Sequence, residues 1–478
     1  MEVLRKRLLP ILWIAGVVAL PAVAGATEGG DAPHLDGAHL GLIWGVPFVG
    51  ILLSIAMGPL LFPHFWEHHF GKIAALWALG FVAPYTFQDG AGAAGYQLLH
   101  TALLEYIPFI ILLFALFTVA GGVRLKGSLV GTPAVNTTFL LIGTLIASWM
   151  GTTGASMLLI RPLIRAIEHR RHKIHVIVFF IFLVSNIGGA LTPLGDPPLF
   201  LGFLKGVDFF WPTTHLLAPT SVAAGILLGL FFALDSVLYG RESKRPALNR
   251  TENEPLGLEG GVNILLLVGI IGAVLMSGMW QPGITWTLHH VEVEAQNALR
   301  DGLLLAIAGV SLKLTTSDSR AANGFTWGPI LEVAKLFAGI FVTIIPVIAI
   351  LRAGTTGALA AVVGAVTGPD GQPVNAAYFW FTGVLSSFLD NAPTYLVFFN
   401  TAGGNAQTLM GPMATTLAAI SAGAVFMGAN SYIGNAPNFM VRAIAEERGV
   451  KMPSFFGYML WSVGILIPLF ILVTFLFF

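Results

Sequence analysis

Two carboxylates, Asp196 and Asp390, stand among oxygen-bearing side chains inside stretches that are otherwise apolar. The first closes the run Ser185-Asn186-Ile187-Gly188-Gly189, which continues to Thr192-Pro193-Leu194-Gly195-Asp196-Pro197-Pro198. The second opens Asp390-Asn391-Ala392-Pro393-Thr394. Around the first break lie Ser185, Asn186, Thr192 and Asp196, and an upstream interruption adds Thr152, Thr153 and Ser156. In the second half the set is Asp390, Asn391 and Thr394 with Asn430, Ser431, Asn435 and Asn438. These are hard oxygen donors suited to Na⁺ or H⁺ rather than to soft metals, and Na⁺ is expected at Asp390, Asn391, Asp196 and Asn186. A carboxylate at membrane depth is costly and is a functional group by default. It can exchange a proton for a cation, because burial favours the protonated form and a bound cation the ionised one. The competing reading is a helix cap, an Asp that bonds amides freed at the break.

The surroundings of these motifs are those of a membrane protein. Of 478 residues, 56% are apolar and 10% charged, against about 25% charged in a soluble domain, and the mean hydropathy is +0.82. Formal net charge is zero and there is no cysteine, which excludes disulfide and thiol chemistry. No GxxxxGK[ST] loop occurs, which argues against a built-in ATPase. No catalytic constellation is evident, so no enzyme activity is expected, no nucleic-acid partner, and no cofactor beyond transported or coupling ions.

Apolar segments run roughly 41–62, 73–88, 96–120, 135–160, 174–204, 214–239, 262–280, 302–314, 328–351, 376–400, 409–433 and 454–478. The expected fold is an all-α polytopic membrane protein. Basic residues cluster at Arg124 and Lys126, Arg165 to Lys173, Arg241 to Arg250, Lys313 and Arg320, and Arg442 to Lys451. The positive-inside rule puts these in the cytoplasm. Segment 135–160 then enters and leaves on the cytoplasmic side as a re-entrant hairpin, and 376–400 is its mirror, entering from outside. Gly and Pro interrupt 174–204 and 409–433, which therefore read as discontinuous helices. Residues 1–26 are either a cleaved signal peptide, with Arg5, Lys6 and Arg7 before an apolar stretch and Ala24-Gly25-Ala26, or a first transmembrane helix.

An internal repeat follows from the sequence. Leu104-Glu105-Tyr106 matches Leu331-Glu332-Val333 at an offset of 227. Ser148–Ser156 aligns with Ser387–Tyr395, and Leu191–Phe200 with Asn430–Phe439, both at an offset of 239. The halves are 27–240 and 261–478, joined by a charged cytoplasmic linker, 241–260. Opposite entry sides of the two hairpins are what an inverted-topology repeat requires. Asp196 aligns with Asn435 and Asp390 with Gly151, so each half keeps one carboxylate and is expected to build its own oxygen-rich site. Glu105 and Glu332 read as structural or interfacial, Asp89 as part of a Gly-rich external loop, and Arg161 and Arg165 as snorkelling cations. His64, His68 and His69, beside Trp66 and Glu67, read as a solvated cytoplasmic loop, with a metal site as the alternative.

Ser185–Pro198 resembles the SNIGG-x-x-T-x-x-G-D-P-P signature of the ion transporter superfamily, which includes NhaD-type Na⁺/H⁺ antiporters, arsenite permeases, citrate transporters and divalent-anion symporters. Leu389-Asp390-Asn391-Ala392-Pro393 is similar to its second hairpin. Gly434-Asn435-Ala436-Pro437-Asn438, followed by Ile444–Gly449, is similar to its closing motif. The resemblance implies two hairpins, two discontinuous helices, a cation-coupled cycle, an elevator-like transport domain and a homodimer. One departure stands out: Gly151-Thr152-Thr153 occupies the place where antiporter-like members carry Asp-Asn. The expected function is secondary active transport in the inner membrane, by Na⁺/H⁺ antiport at the buried carboxylates. The alternative is Na⁺- or H⁺-coupled movement of citrate or another carboxylate.

Overall fold

The computed structural model describes residues 35–127, 129–242 and 257–478. The signal-or-helix reading of 1–26 and most of the linker at 241–260 lie outside the described residues.

The first half contains α1 (Val46–Leu61) and α2 (Pro63–Thr101), the latter kinked at Gly90 and continued through one π turn, Ala102–Tyr106, into α3 (Ile107–Ala120). After β1 (Arg124–Lys126) come α4 (Pro133–Met150), α5 (Thr152–Ala166), α6 (Ile174–Leu183), α7 (Pro197–Leu204) and α8 (Trp211–Gly240). The second half has β2 (Gly257–Glu259), α9 (Val262–Met279), β3 (Thr285–Leu288), β4 (Val291–Glu294), α10 (Ala295–Leu314) and α11 (Ser317–Ala322). It continues with α12 (Gly328–Thr343), α13 (Ile345–Arg352), α14 (Ala360–Ala365), α15 (Asn375–Phe388) and α16 (Asn391–Thr401). It ends with α17 (Ala406–Met410), α18 (Ala414–Met427), α19 (Ala436–Glu447) and α20 (Phe455–Phe477).

Prolines punctuate this order. At least one stands in the first turn of each of α1–α4, α7, α8, α12, α13 and α19, where its missing N–H is no loss. Among the described residues six helices are long and apolar enough to cross a bilayer, or seven if α12 and α13, bent by 42°, count as one span. The surface is apolar and the centre polar: Phe475 is 84% exposed and Met279 80%, whereas Ser185, Asn186 and Thr192 are fully buried. A soluble protein does not present such a face. The chain is an all-α polytopic membrane protein.

Two helix pairs turn back on themselves. The Gly131 amide donates to the Ala166 carbonyl at 2.8 Å, so α4 starts where α5 finishes. Between them Gly151 has φ 81° and ψ 145°, a region almost reserved for glycine. In the second pair, Tyr378 near the start of α15 and Phe398 near the end of α16 bring their ring centroids within 6.3 Å. Their surroundings differ along α8: Asn136 at the start of α4 donates to Asp235 near the end of that helix at 2.9 Å, whereas Met410, beyond α16, meets Trp211 at its start. The base of α4–α5 lies with the basic residues: Arg165 donates to the Leu125 carbonyl at 3.3 Å, and β1 pairs antiparallel with β2, where Arg124 meets Glu259 at 3.0 Å. The base of α15–α16 lies at the other end, where Arg352 donates to Asn400 Oδ1 at 2.8 Å and Trp211 to the Met410 carbonyl at 3.3 Å.

Several expectations change. The apolar segment 302–314 is the later part of a helix that begins at Ala295; Arg300 and Asp301, just before that segment, pair with each other at 2.8 Å inside the helix. His64, His68 and His69 sit on the first turns of α2, not in a loop. Asp89 precedes the Gly90 kink of that helix. A β3–β4 hairpin fills the connection after α9. Arg320 is buried and donates to the carbonyls of Thr118 (2.7 Å) and Ser311 (3.1 Å), tying α11 to the ends of α3 and α10.

Candidate functional site

Each pair of helices docks its tip into an interrupted helix. The interruption between α6 and α7 is fixed by Ser148: its Oγ donates to the Gly188 carbonyl (2.6 Å), accepts from the Leu191 amide (2.9 Å), and its own carbonyl accepts from Thr192 Oγ1. The interruption between α18 and α19 is fixed the same way. Ser387 Oγ donates to the Met427 carbonyl (3.1 Å) and accepts from Asn430 Nδ2 (2.9 Å), and its carbonyl accepts from Ser431 Oγ. Every residue of the second set lies 239 positions after its counterpart. The close approach needs glycine at one point: a Cβ on Gly195 would lie 2.1 Å from the Gly189 carbonyl oxygen. Thr192 and Ser431 thus turn their hydroxyls to backbone, and Asn430 its Nδ2 to Ser387, while Asn430 Oδ1 is buried without a partner.

The two interruptions also bond to each other, and this overturns the expectation of one separate site per half. Asp196 Oδ1 accepts from Thr152 Oγ1 and from Asn435 Nδ2, each at 3.0 Å, and its Oδ2 accepts from Asn391 Nδ2. These donors come from the α4–α5 tip, the α18–α19 interruption and the α15–α16 tip. Thr152 and Asn391 are 239 positions apart, as are Asp196 and Asn435, so counterparts from the two halves meet face to face. Asn435 also donates to the Ser185 carbonyl (3.1 Å) and to Asn186 Oδ1 (3.3 Å), and Asn186 donates to Asn438 Oδ1 at 2.7 Å. Asn438 in turn donates to the Gly428 and Ser431 carbonyls at 2.8 and 2.9 Å. Ser156 and Ser185 share a hydrogen bond of 2.9 Å just behind.

The cap alternative divides the two carboxylates. Asp390 is a cap: its Oδ1 accepts from the Ala392 amide at 3.2 Å at the start of α16, and Thr394 donates to its carbonyl at 3.0 Å. Asp196 precedes α7 but makes no such bond. Its carboxylate is 1% exposed, is held by three neutral donors, and forms no ion pair among the described residues. The Gly151 backbone conformation accounts for the asymmetry between the halves, since an Asp there would be strained where Asp390, at φ −56°, is not. Asn391 Oδ1 is buried without a partner, an oxygen free to accept beside Asp196.

A cavity of about 100 Å³ adjoins the cluster, lined by Thr152, Thr153, Asp196 and Pro197 on one side and by α3 and α12 on the other. Sequence reading passed over Ser148 and Ser387, although both opened the aligned stretches. It also missed Asp235. Near the end of the apolar segment 214–239, Asp235 is fully buried and accepts from Arg170 (Nη1, 3.0 Å), His175 (2.8 Å) and Asn136 (2.9 Å). A lone Asp in such a span was the available signal. Arg170, read as a cytoplasmic loop cation, is a buried strut between the base of α4–α5 and α8. Glu105 pairs with Lys205 at 2.5 Å, joining the π turn to the end of α7. Exposed His64, Glu67 and His68 lie close enough together to hold a metal ion but on the surface of α2.

The sequence profile of a family described as "putative citrate transport" matches residues 37–478. Two curated relatives, each named an uncharacterised transporter, come from Mycobacterium bovis and Mycobacterium tuberculosis. Each is 26% identical over 334 residues, which is 67% of this chain and 72% of the relative.

Proposed function

This chain belongs to the citrate transport family and is a membrane transporter; from that premise we propose that it is a cation-coupled secondary carrier of citrate or a related carboxylate, with the Asp196 cluster as its coupling site. One observation carries the reading: a carboxylate buried at the meeting point of both hairpin tips and both interruptions, with donors but, among the described residues, no counter-cation. Such a group is neutralised by a proton or a small cation, and Asn391 Oδ1 offers a further oxygen to either. Because Thr152, Asn391 and Asn435 come from three different elements, occupying or emptying Asp196 tightens or loosens the contact between the halves. That links ion binding to movement.

The adjoining cavity takes an ion and a few waters. Pockets for small molecules start at roughly 300 Å³, so admitting citrate requires the hairpin tips to part from α3 and α12. We read the paired docking bonds as an inverted-topology repeat whose tips and interruptions move together, in a homodimer of the inner membrane. Na⁺/H⁺ antiport is the second reading, favoured by the retention of one carboxylate at each hairpin-and-break set, Asp196 and Asp390. Proteoliposomes separate the two: labelled citrate accumulating under an imposed Na⁺ or pH gradient supports the carrier, whereas proton movement driven by Na⁺ with no citrate uptake supports antiport.

A further inference from the structure

A second polar cavity lies elsewhere, at the end opposite the basic loops, between the end of α7, the β3–β4 hairpin and the start of α10, with a volume of about 690 Å³. Two of its lining residues, one helical turn apart on α10, are buried with unused hydrogen-bonding atoms. Arg300 is 1% exposed. Its Nε donates to Asp301 at 2.8 Å and its Nη1 to Asn297 at 3.0 Å, but Nη2 has no partner. Gln296 is 5% exposed; its Nε2 donates to Glu294 at 2.8 Å, and its Oε1 has no partner. Buried polar atoms are seldom left unpaired, and one that is calls for a ligand or water.

The two atoms ask for complementary chemistry. Nη2 needs an acceptor and, being cationic, suits a carboxylate; Oε1 needs a donor such as a hydroxyl. Lys205, on the same wall, is paired with Glu105 at 2.5 Å, so Arg300 supplies the cationic donor. The carboxylates of the wall do not compete for Nη2: Asp301 takes the Nε edge, Glu294 takes Gln296, and Asp208 and Glu292 are exposed at the mouth, where water and salt screen them. The site therefore selects by contact rather than by long-range attraction. The guanidinium also lies 5.9 Å from the Phe200 ring, and Phe200 lines the cavity beside Asp196, so α7 separates the two spaces by one aromatic side chain.

We propose that this vestibule binds a hydroxycarboxylate when the Arg300 and Gln296 side chains turn their unpartnered atoms toward it, Arg300 holding a carboxylate and Gln296 the hydroxyl, and that substrate passes from there to the central cavity. The idea rests on the carboxylate-carrier reading, and the positive-inside rule faces the vestibule away from the cytoplasm. Purified protein in nanodiscs would be titrated by calorimetry with citrate and with tricarballylate, which has the same three carboxylates but no hydroxyl. Wild type should prefer citrate. Arg300→Gln should weaken both ligands by about tenfold or more, as loss of a hydrogen bond to a charged group does. Gln296→Leu should erase the preference, and should do so even if Arg300→Gln does not fold. Asp196→Asn should stop transport and keep the binding that depends on Arg300. Binding unchanged in both vestibule variants overturns the site, even if citrate is transported. Binding that follows Arg300 and Gln296 while no citrate crosses the membrane keeps the site and overturns the carrier reading. No citrate binding by wild type overturns the site.

Discussion

Gly195→Ala tests whether the first hairpin tip and the first interruption are one rigid assembly. The added methyl would sit 2.1 Å from the Gly189 carbonyl oxygen and 2.9 Å from the Ser148 Cα. Both are backbone atoms, so no rotamer change relieves the clash, and ordinary contact requires a shift of more than about 1 Å, the scale at which packed cores lose roughly 1–3 kcal/mol or more. The shift also disturbs the bond from the Thr152 amide to the Gly195 carbonyl, 2.8 Å long, and with it the Thr152 hydroxyl on Asp196. Gly434 is the counterpart, with a Cβ position 2.6 Å from both the Gly428 and Ser386 carbonyl oxygens. Gly225→Ala, with nothing within 4 Å, is the control. Thermal unfolding in nanodiscs and initial uptake rates in proteoliposomes should show both interruption variants destabilised and at least about tenfold slower, with Gly225→Ala like wild type. If Gly195→Ala unfolds and transports like wild type, the docking geometry described here is wrong.

Other outcomes follow from the same contacts. Asp235→Asn leaves the Arg170 guanidinium buried without its counter-charge, which costs about 3–5 kcal/mol; detergent-solubilised protein should unfold many degrees earlier, and a melting point equal to wild type would contradict the strut. Asp390→Asn should keep folding and most transport, because Asn caps a helix about as well as Asp; a transport loss as complete as that of Asp196→Asn would put Asp390 in the coupling step. Glu242 is partly desolvated, which raises its pKa, but bonds from the amides of His172 (2.9 Å) and Arg171 (3.2 Å) outweigh this and hold it below the usual carboxylate range. Its contribution to stability is therefore present above the unfolded value, about 4.3, and is lost as pH falls through the lower folded value. Glu242→Gln should flatten the melting-temperature profile in that acid range, and an unchanged profile would remove the contribution.

Much of the architecture was legible in sequence because a bilayer imposes simple rules. Apolar length marked the spans, and Gly-Pro clusters marked where they break. Apolar length failed where charge is neutralised locally: Arg300 and Asp301 pair within α10, so a polar dipeptide hid the helix start. Positive-inside counting likewise placed Arg170 and Arg320 in cytoplasmic loops, although both are buried and donate to Asp235 or to helix-end carbonyls. The candidate oxygens were found by type, but type does not say where an oxygen points. Thr192 and Ser431 look like ligands and act as docking bonds, while Asp390, where Na⁺ is expected from its residue type, caps a helix. Asp196 and Asn435 aligned as counterparts, yet only the fold shows that counterparts from the two halves bond to each other.

The central claim is that Asp196 couples ion binding to carboxylate movement. Its most direct test is labelled citrate uptake into proteoliposomes under imposed Na⁺ and pH gradients, measured for wild type and for Asp196→Asn with equal reconstituted amounts. The account predicts gradient-driven accumulation by wild type. It predicts that the variant, whose amide is neutral and binds neither proton nor cation as a carboxylate does, loses accumulation against a gradient. Accumulation by Asp196→Asn that still follows the ion gradient would contradict it.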